Sequence, residues 1–137
     1  MEPYIHTVQY YETDKMGVAH HSNYIRWMEE ARVDFFEQLG YGYGRLEEEG
    51  IVSPVTGLEC RYKASTTFGD TVEIAVSVAG FKGAVLQLRY RMTKPDGQLA
   101  MEGRSEHCFL NRSGRIVRPD RETPELYRLL TSLAKAE

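Results

Sequence analysis

The sequence predicts an α+β protein in which one long helix lies among about five antiparallel strands. Three observations lead to this expectation. Apolar residues between positions 23 and 39 recur at helical spacing. Residues 72–78 and 86–92 alternate between apolar and polar side chains, as half-buried strands do. Short glycine-containing turns separate the later strand candidates. These patterns alone leave several α+β folds open.

The first two elements are predicted from residues 4–39. Residues 4–11 are rich in aromatic and β-branched side chains and predict a strand, which a polar loop follows. Ser22 or Asn23 can cap the long helix at residues 23–39, and Gly40 can end it. The apolar side of this helix comprises Tyr24, Trp27, Met28, Ala31, Phe35 and Leu39.

The rest of the chain is predicted to complete the sheet and to end in a short helix. Residues 41–50 are rich in Gly and Glu and predict a turn or half-helix. Thr123 can cap a last helix that Pro124 opens. Strand candidates are residues 51–63, 72–78, 86–92 and 99–110, with turns at 81–83, 95–97 and 111–114.

Composition narrows the classes of protein to consider. Lys and Arg number 17 against 20 Asp and Glu, so the strong basic excess of a nucleic-acid-binding domain is missing. No apolar run reaches the roughly 20 residues of a membrane span, and residues 1–4 do not resemble a signal peptide. We therefore expect a cytoplasmic protein. Cys60 and Cys108 lack zinc-ligand spacing, and we expect both to be reduced.

The stretch from Tyr10 to Arg32 carries the candidate chemistry. Asp14 lies in a loop that continues through Gly17, His20 and His21 to the helix start. Unpaired N–H groups at a helix start can polarise a carbonyl, while a nearby carboxylate can activate water or attack the carbonyl itself. Such chemistry requires no metal or cofactor. On the residues alone, an Asp in this position is ordinarily a turn or capping residue, and a metal ligand set with the two histidines is a further alternative.

This stretch resembles the signature of the 4-hydroxybenzoyl-CoA thioesterase family, in particular its YbgC-type acyl-CoA thioesterase branch. The matching residues are Thr13-Asp14, Gly17-Val18, His21, Asn23-Tyr24 and residues 29–32. Residues 61–70 resemble a second block of the family, except that Ala64-Ser65 replaces the commoner Pro-Ala pair. The resemblance implies the hotdog fold, a sheet wrapped around a central helix, as a single domain over residues 1–137.

The resemblance also implies roles for individual residues. Asp14 corresponds to the catalytic carboxylate, as general base or nucleophile, and His21 to a histidine that orients the thioester or water. A backbone N–H near His21 corresponds to the donor that polarises the carbonyl. Glu29 and Glu30 are expected to be solvated or paired with Arg26 and Arg32, and Asp70 to be a turn residue. Candidates for substrate binding are Gly17, through a close approach or a turn with positive φ, together with Val18, Asn23, Tyr24, Arg61 and Lys63.

The activity implied is hydrolysis of an acyl-CoA thioester to a free acid and CoA, with CoA as part of the substrate and no other cofactor. A homodimer or homotetramer with sheets joined edge to edge is implied as well. An acyl carrier protein is an alternative carrier of the acyl group. Two other functions remain open at this point: a hotdog dehydratase, which normally keeps its acid in the helix, and a non-catalytic acyl-binding module. Short, long and aromatic acyl groups are all compatible with the sequence.

Overall fold

The computed structural model describes residues 1–136, which form five strands and four α-helices within that range. A single 3-10 turn, Tyr10–Glu12, precedes the long helix. The strands are β1 (Tyr4–Thr7), β2 (Val55–Tyr62), β3 (Thr71–Lys82), β4 (Val85–Thr93) and β5 (Leu99–His107). The helices are α1 (Ser22–Gln38), α2 (Tyr43–Glu48), α3 (Pro119–Glu122) and α4 (Pro124–Ala136).

The five strands form one sheet in the order β1-β3-β4-β5-β2. β1 runs antiparallel to β3, with Tyr4 opposite Ile74 and Thr7 opposite Thr71. β3, β4 and β5 are neighbours in both sequence and space, whereas β1 and β2 occupy the two edges. The predicted α+β fold with a five-stranded antiparallel sheet is therefore confirmed.

The chain divides into two compact units, each assembled from separate stretches of sequence. The first unit comprises residues 1–35, 60–76 and 90–103, and Trp27, Met28, Val72 and Ile74 are among its buried residues. The second unit comprises residues 36–59, 77–89 and the chain from 104 onward. Its buried core includes Phe36, Tyr41, Leu86, Leu88, Phe109, Leu126 and Leu130.

Helix α1 lies within one residue of the predicted bounds at both ends. Five of the six predicted apolar residues are buried on one side of the helix, namely Tyr24, Trp27, Met28, Ala31 and Phe35. The sixth, Leu39, lies just beyond the last helical residue and is half-buried. Gly40 ends the helix as expected: its φ is +77°, and the Tyr41 N–H donates to the Phe36 carbonyl at 3.1 Å. A left-handed residue of this kind is the usual termination of an α-helix.

The first strand is shorter than predicted. β1 ends at Thr7, and the chain then enters the 3-10 turn instead of continuing extended to Tyr11. Tyr10 and Tyr11 are 75% and 82% exposed, so their aromatic character does not reflect sheet burial. The turn forms because the Glu12 carboxylate is buried and accepts the Gln9 N–H at 2.8 Å, which closes the backbone.

Two other strand predictions were too long. Of residues 51–63, only Val55–Tyr62 belongs to β2, and Val52 makes an isolated bridge to Leu110 instead. Pro54 lies between the two segments, and a proline has no N–H to continue a ladder. β5 likewise ends at His107 and not at Leu110.

The helical predictions outside α1 hold in outline. Within the turn or half-helix predicted at 41–50, the structure has α2, and α4 begins at Pro124 as expected. The Thr123 hydroxyl, expected as a cap of α4, donates to the Pro119 carbonyl at 3.2 Å and so closes the unpredicted helix α3. Among the described residues, no helix combines the length and the apolar character that a bilayer crossing requires.

Candidate active site

Asp14 lies on a tight loop in the first unit. An antiparallel bridge between Thr13 and Ala19 closes this loop, and the Asp14 N–H donates to the Val18 carbonyl at 2.9 Å. The Asp14 carboxylate accepts the Met16 N–H through Oδ1 at 2.8 Å. Its Oδ2 has no hydrogen-bond partner within residues 1–136. One oxygen therefore fixes the side chain, and the other is available for chemistry.

Gly17 gives the loop its conformation. Its φ is +80°, and its N–H donates to the Asp14 carbonyl at 3.0 Å. A Cβ placed on Gly17 would meet no atom within 4 Å. Of the two reasons considered for a glycine here, the turn with positive φ accounts for it without any close contact from the chain itself. Val18 is half-buried and contributes its carbonyl to the same turn.

The start of α1 follows the loop directly. His21 immediately precedes the first helical residue, Ser22, and its N–H has no acceptor in the part of the chain that the structure describes. The His21 ring is exposed and lies 4.1 Å from the ring of His20, measured between centroids. The unpaired N–H and the helix dipole make this end of α1 electropositive.

A three-ligand metal cluster of His, Cys, Asp or Glu does not occur among residues 1–136. His20 instead pairs locally, because its Nδ1 lies 2.8 Å from the Ser22 hydroxyl and 3.2 Å from the Ser22 nitrogen. Cys60 and Cys108 are both free thiols.

Asn23 connects the loop to the helix. Its Nδ2 donates to the carbonyl of Glu12 at 2.8 Å and to that of His20 at 3.2 Å. The predicted helix cap requires the side chain to accept a backbone N–H, so that part of the prediction is wrong. A substrate-binding role of Asn23 stays a prediction.

The residue that the sequence analysis missed is Glu12. Its carboxylate is only 5% exposed and accepts hydrogen bonds from the Gln9 N–H at 2.8 Å and the Trp27 indole at 2.7 Å, with His6 Nε2 at 2.9 Å. Burial raises the pKa of Glu12, but these hydrogen bonds outweigh burial, and the pKa lies below its ordinary value. The only signal in the sequence was the acidic position just before Thr13 in the family signature.

Two tyrosines border the helix start. The Tyr24 side chain is buried, and its hydroxyl lies 2.8 Å from Thr66 Oγ1. The Tyr62 hydroxyl donates to the His21 carbonyl at 3.2 Å. Partial burial, aided by Cys60, raises the pKa of Tyr62 to about 12, so the hydroxyl remains a donor at neutral pH. Arg61 and Lys63 flank Tyr62, and both are exposed.

Glu29 and Glu30 on α1 are both exposed, as expected, but Glu30 has an unexpected partner. Glu30 Oε2 lies 3.1 Å from His6 Nδ1. Arg32, which was considered as a partner of these acids, is buried, and its guanidinium donates to the Tyr90 hydroxyl at 3.0 Å. Asp70 is the turn residue expected, since its carboxylate accepts the Thr67 N–H at 3.0 Å.

Comparison with known proteins identifies the family. The sequence profile of the thioesterase-like superfamily matches residues 8–130, which include the Asp14 loop, α1 and the strands β2 to β5. The chain belongs to this superfamily. The superfamily match and the five-stranded sheet together confirm the hotdog fold, and solved relatives share it.

Three proteins similar to this thioesterase-like chain illustrate the match. The candidate acyl-CoA thioesterase YneP of Bacillus subtilis (strain 168) is 31% identical over 105 residues, 77% of this chain and 76% of YneP. The acyl-CoA thioester hydrolase YbgC of Escherichia coli O6:H1 is 25% identical over 95 residues, 69% of this chain and 71% of YbgC. The crystal structure of a DHNA-CoA thioesterase from Staphylococcus aureus superposes with a TM-score of 0.92 at 31% identity, over 98% of this chain and 91% of that one.

Proposed function

We propose that this protein is an acyl-CoA thioesterase in which Asp14 acts on the thioester and the N–H of His21 polarises its carbonyl. The membership of the superfamily supports the thioester hydrolase activity. The observation that carries the assignment within the chain is the Asp14 carboxylate, which has one oxygen anchored by Met16 and one oxygen free. The loop that holds it leads straight to an unpaired N–H at a helix start.

The reaction requires two groups that this loop supplies. An electropositive donor stabilises the oxyanion that forms when the thioester carbonyl is attacked. A carboxylate either removes the proton from the attacking water or attacks the carbonyl carbon itself. In the first route, the C–S bond breaks as the tetrahedral intermediate collapses, and the CoA sulfur takes up the proton. In the second route, an acyl-Asp14 anhydride forms with release of CoA, and water then hydrolyses it to the free acid.

The exposed ring of His21 adjoins the same point and is proposed to orient the thioester or the water. Tyr62 supports this arrangement because its hydroxyl donates to the His21 carbonyl and so helps to fix the position of His21. Arg61 and Lys63 lie beside Tyr62 at the end of β2 and are proposed to attract the phosphates of coenzyme A. Guanidinium and ammonium groups suit phosphates well, and both side chains are exposed. The buried Tyr24 and the half-buried Val18 are proposed to adjoin the acyl group.

A homodimer joined along β2 is proposed as the working form, with pairs of dimers as an alternative. β2 is an edge strand, and an open edge invites pairing with another chain. Three of its large side chains, Val55, Leu58 and Tyr62, are exposed. Sedimentation velocity of the full chain tests this assembly, because a monomer at all concentrations would contradict it. The cytoplasmic location stays a prediction.

The test of function is thiol release from a panel of acyl-CoAs, with short, long, benzoyl and 1,4-dihydroxy-2-naphthoyl groups. The proposal predicts that at least one class is hydrolysed to free acid and CoA in equal amounts. Each acyl group is also offered on an acyl carrier protein, and turnover only on that carrier would replace CoA as the substrate. Hydration of a crotonyl thioester without thiol release would instead indicate a dehydratase. Binding of acyl-CoA with no turnover of any substrate would indicate a non-catalytic acyl-binding module and would refute the proposed enzymatic activity.

A further inference from the structure

Glu12 is a buried acid for which the proposed chemistry has no use. Its carboxylate is almost fully enclosed, yet three different parts of the first unit point a donor or a ring nitrogen at it. The donors are the backbone N–H of Gln9, the indole N–H of Trp27 on α1, and the imidazole of His6 on β1. A buried carboxylate with this many partners ties those parts together, because losing any one partner leaves charge poorly solvated.

The main chain of Glu12 makes a second set of contacts. Its carbonyl accepts the His20 N–H at 2.9 Å and the Asn23 side-chain amide at 2.8 Å. Asp14 follows Glu12 by two residues, and His21 follows His20 by one. A single residue therefore holds the segment that enters the Asp14 loop against the segment that leaves it.

His6 closes the network on its far side. Its ring packs against Trp27 in a tilted arrangement with centroids 4.6 Å apart. Its two nitrogens face two carboxylates: Nε2 faces Glu12, and Nδ1 faces Glu30. Glu30 is the half-exposed end of this chain of contacts, and Glu12 is the buried end. Among the contacts of His6 in the described residues, these two glutamates are the only charged groups.

We infer that Glu12 is a positioning residue that, held by His6 and Trp27, fixes the distance between the Asp14 carboxylate and the helix-start N–H of His21. This inference rests on the proposed function for its effect on turnover, but its effect on the loop is independent of any activity. A displacement of about 1 Å between reacting groups can lower a rate by about 100-fold. Loss of the contacts to Glu12 therefore lowers kcat, whereas KM changes little because Arg61 and Lys63, which are proposed to bind coenzyme A, lie outside this loop.

The decisive variant is Glu12→Gln, which keeps the size of the side chain. The Gln9 N–H and the Trp27 indole donate to different oxygens of the carboxylate, Oε1 and Oε2. An amide has an oxygen at only one of these positions, so one of the two donors must face an NH₂ group. The matched control is Glu49→Gln in the second unit. Like Glu12, Glu49 accepts a hydrogen bond from an aromatic side chain, here the hydroxyl of Tyr41, and it has no part in the Asp14 loop.

The first readout is amide hydrogen exchange, which needs no substrate. Glu12→Gln should speed exchange in residues 13–23 by about tenfold or more relative to the rest of the chain, whereas Glu49→Gln should leave that segment at the wild-type rate. The emission of the single tryptophan should also change in Glu12→Gln, because Trp27 loses or alters its hydrogen bond. If Glu12→Gln does not fold, His6→Gln removes one partner only and should give the same pattern at smaller amplitude.

The second readout is turnover on the best acyl-CoA. We expect kcat of Glu12→Gln to fall about 10- to 100-fold with KM nearly unchanged, and kcat of Glu49→Gln to equal that of wild type. Unchanged exchange in residues 13–23, or faster exchange with unchanged kcat, would overturn the inference. A wild-type protein that is inert toward every thioester would refute the proposed function instead, and the exchange rates alone would then decide whether Glu12 positions the loop.

Discussion

Replacing Gly17 by alanine separates the conformation of the Asp14 loop from its contacts. At a φ of +80°, a residue with a Cβ adopts the left-handed region, which costs about 1–2 kcal/mol. No atom lies within 4 Å of the position that the new methyl group would take, so no steric cost is added. Gly114 offers a matched control in the second unit, because its φ is +77° and its Cβ position is equally open.

Both variants should therefore lose the same stability, about 1–2 kcal/mol in the free energy of unfolding measured with urea. Only Gly17→Ala should lose thioesterase activity, since relief of the strained φ moves Asp14 relative to His21. The assay measures kcat for thiol release without denaturant, where both variants are fully folded.

Two results would refute this reasoning. A loss of stability in Gly17→Ala several kcal/mol larger than in Gly114→Ala would mean that the glycine is required by packing and not by φ. Equal stability losses with full activity in Gly17→Ala would mean that the loop conformation does not set the geometry of the reacting groups.

Two further predictions concern the surroundings of the loop. The pKa of Glu12 is lower in the folded state than its ordinary 4.5, so its contribution to stability is present above that pH and is lost as the pH falls through the folded pKa. The free energy of unfolding in urea should therefore drop more for wild type than for Glu12→Gln on acidification below 4.5. Parallel curves for the two proteins would argue against a charged, buried carboxylate. Tyr62→Phe removes the hydrogen bond to the His21 carbonyl, which is worth about 0.5–1.5 kcal/mol. The variant should lower kcat severalfold in steady-state assays and keep the circular dichroism spectrum of wild type. An unchanged kcat would show that the hydroxyl does not orient the helix start.

Helix α1 could be predicted almost to the residue because its information is local. Its buried side chains recur at the helical period, and Gly40 supplies the left-handed residue that ends it. β3 and β4 were recognised for the same reason, since alternation reports directly on a half-buried strand. The positions of β1 and β2 at the edges depend on pairing between distant segments, and the patterns within those segments do not encode it.

The end of β1 shows where alternation misleads. Tyr10 and Tyr11 have the composition of a strand, but both are exposed on a 3-10 turn whose shape is set by the buried Glu12. Glu12 in turn can be buried because its carboxylate forms hydrogen bonds with His6 and Trp27, which lie 6 and 15 residues away in sequence. A charged residue normally indicates exposure, so only the tertiary partners could have identified this one as internal.

The candidate site was predicted in outline through the family signature and not through physics alone. An aspartate before a helix is ordinarily a turn residue, and Asp14 does make such a turn through Oδ1. The structure adds that Oδ2 remains free and that the N–H of His21 lacks an acceptor, both within the described residues. Neither fact can be read from the sequence, because each depends on which hydrogen bonds the loop forms with itself.

The central claim is that Asp14 carries the hydrolysis, and the most direct test compares Asp14→Asn with Asp96→Asn. Both aspartates accept a backbone N–H two residues ahead at 2.8 Å, from Met16 and Gln98 respectively, and an asparagine oxygen can accept the same bond. The two variants should thus be equally folded. The account predicts that Asp14→Asn loses roughly 100-fold or more in kcat for thiol release while Asp96→Asn keeps the wild-type value. Equal activity in the two variants would contradict it and would place the catalytic acid elsewhere in the chain.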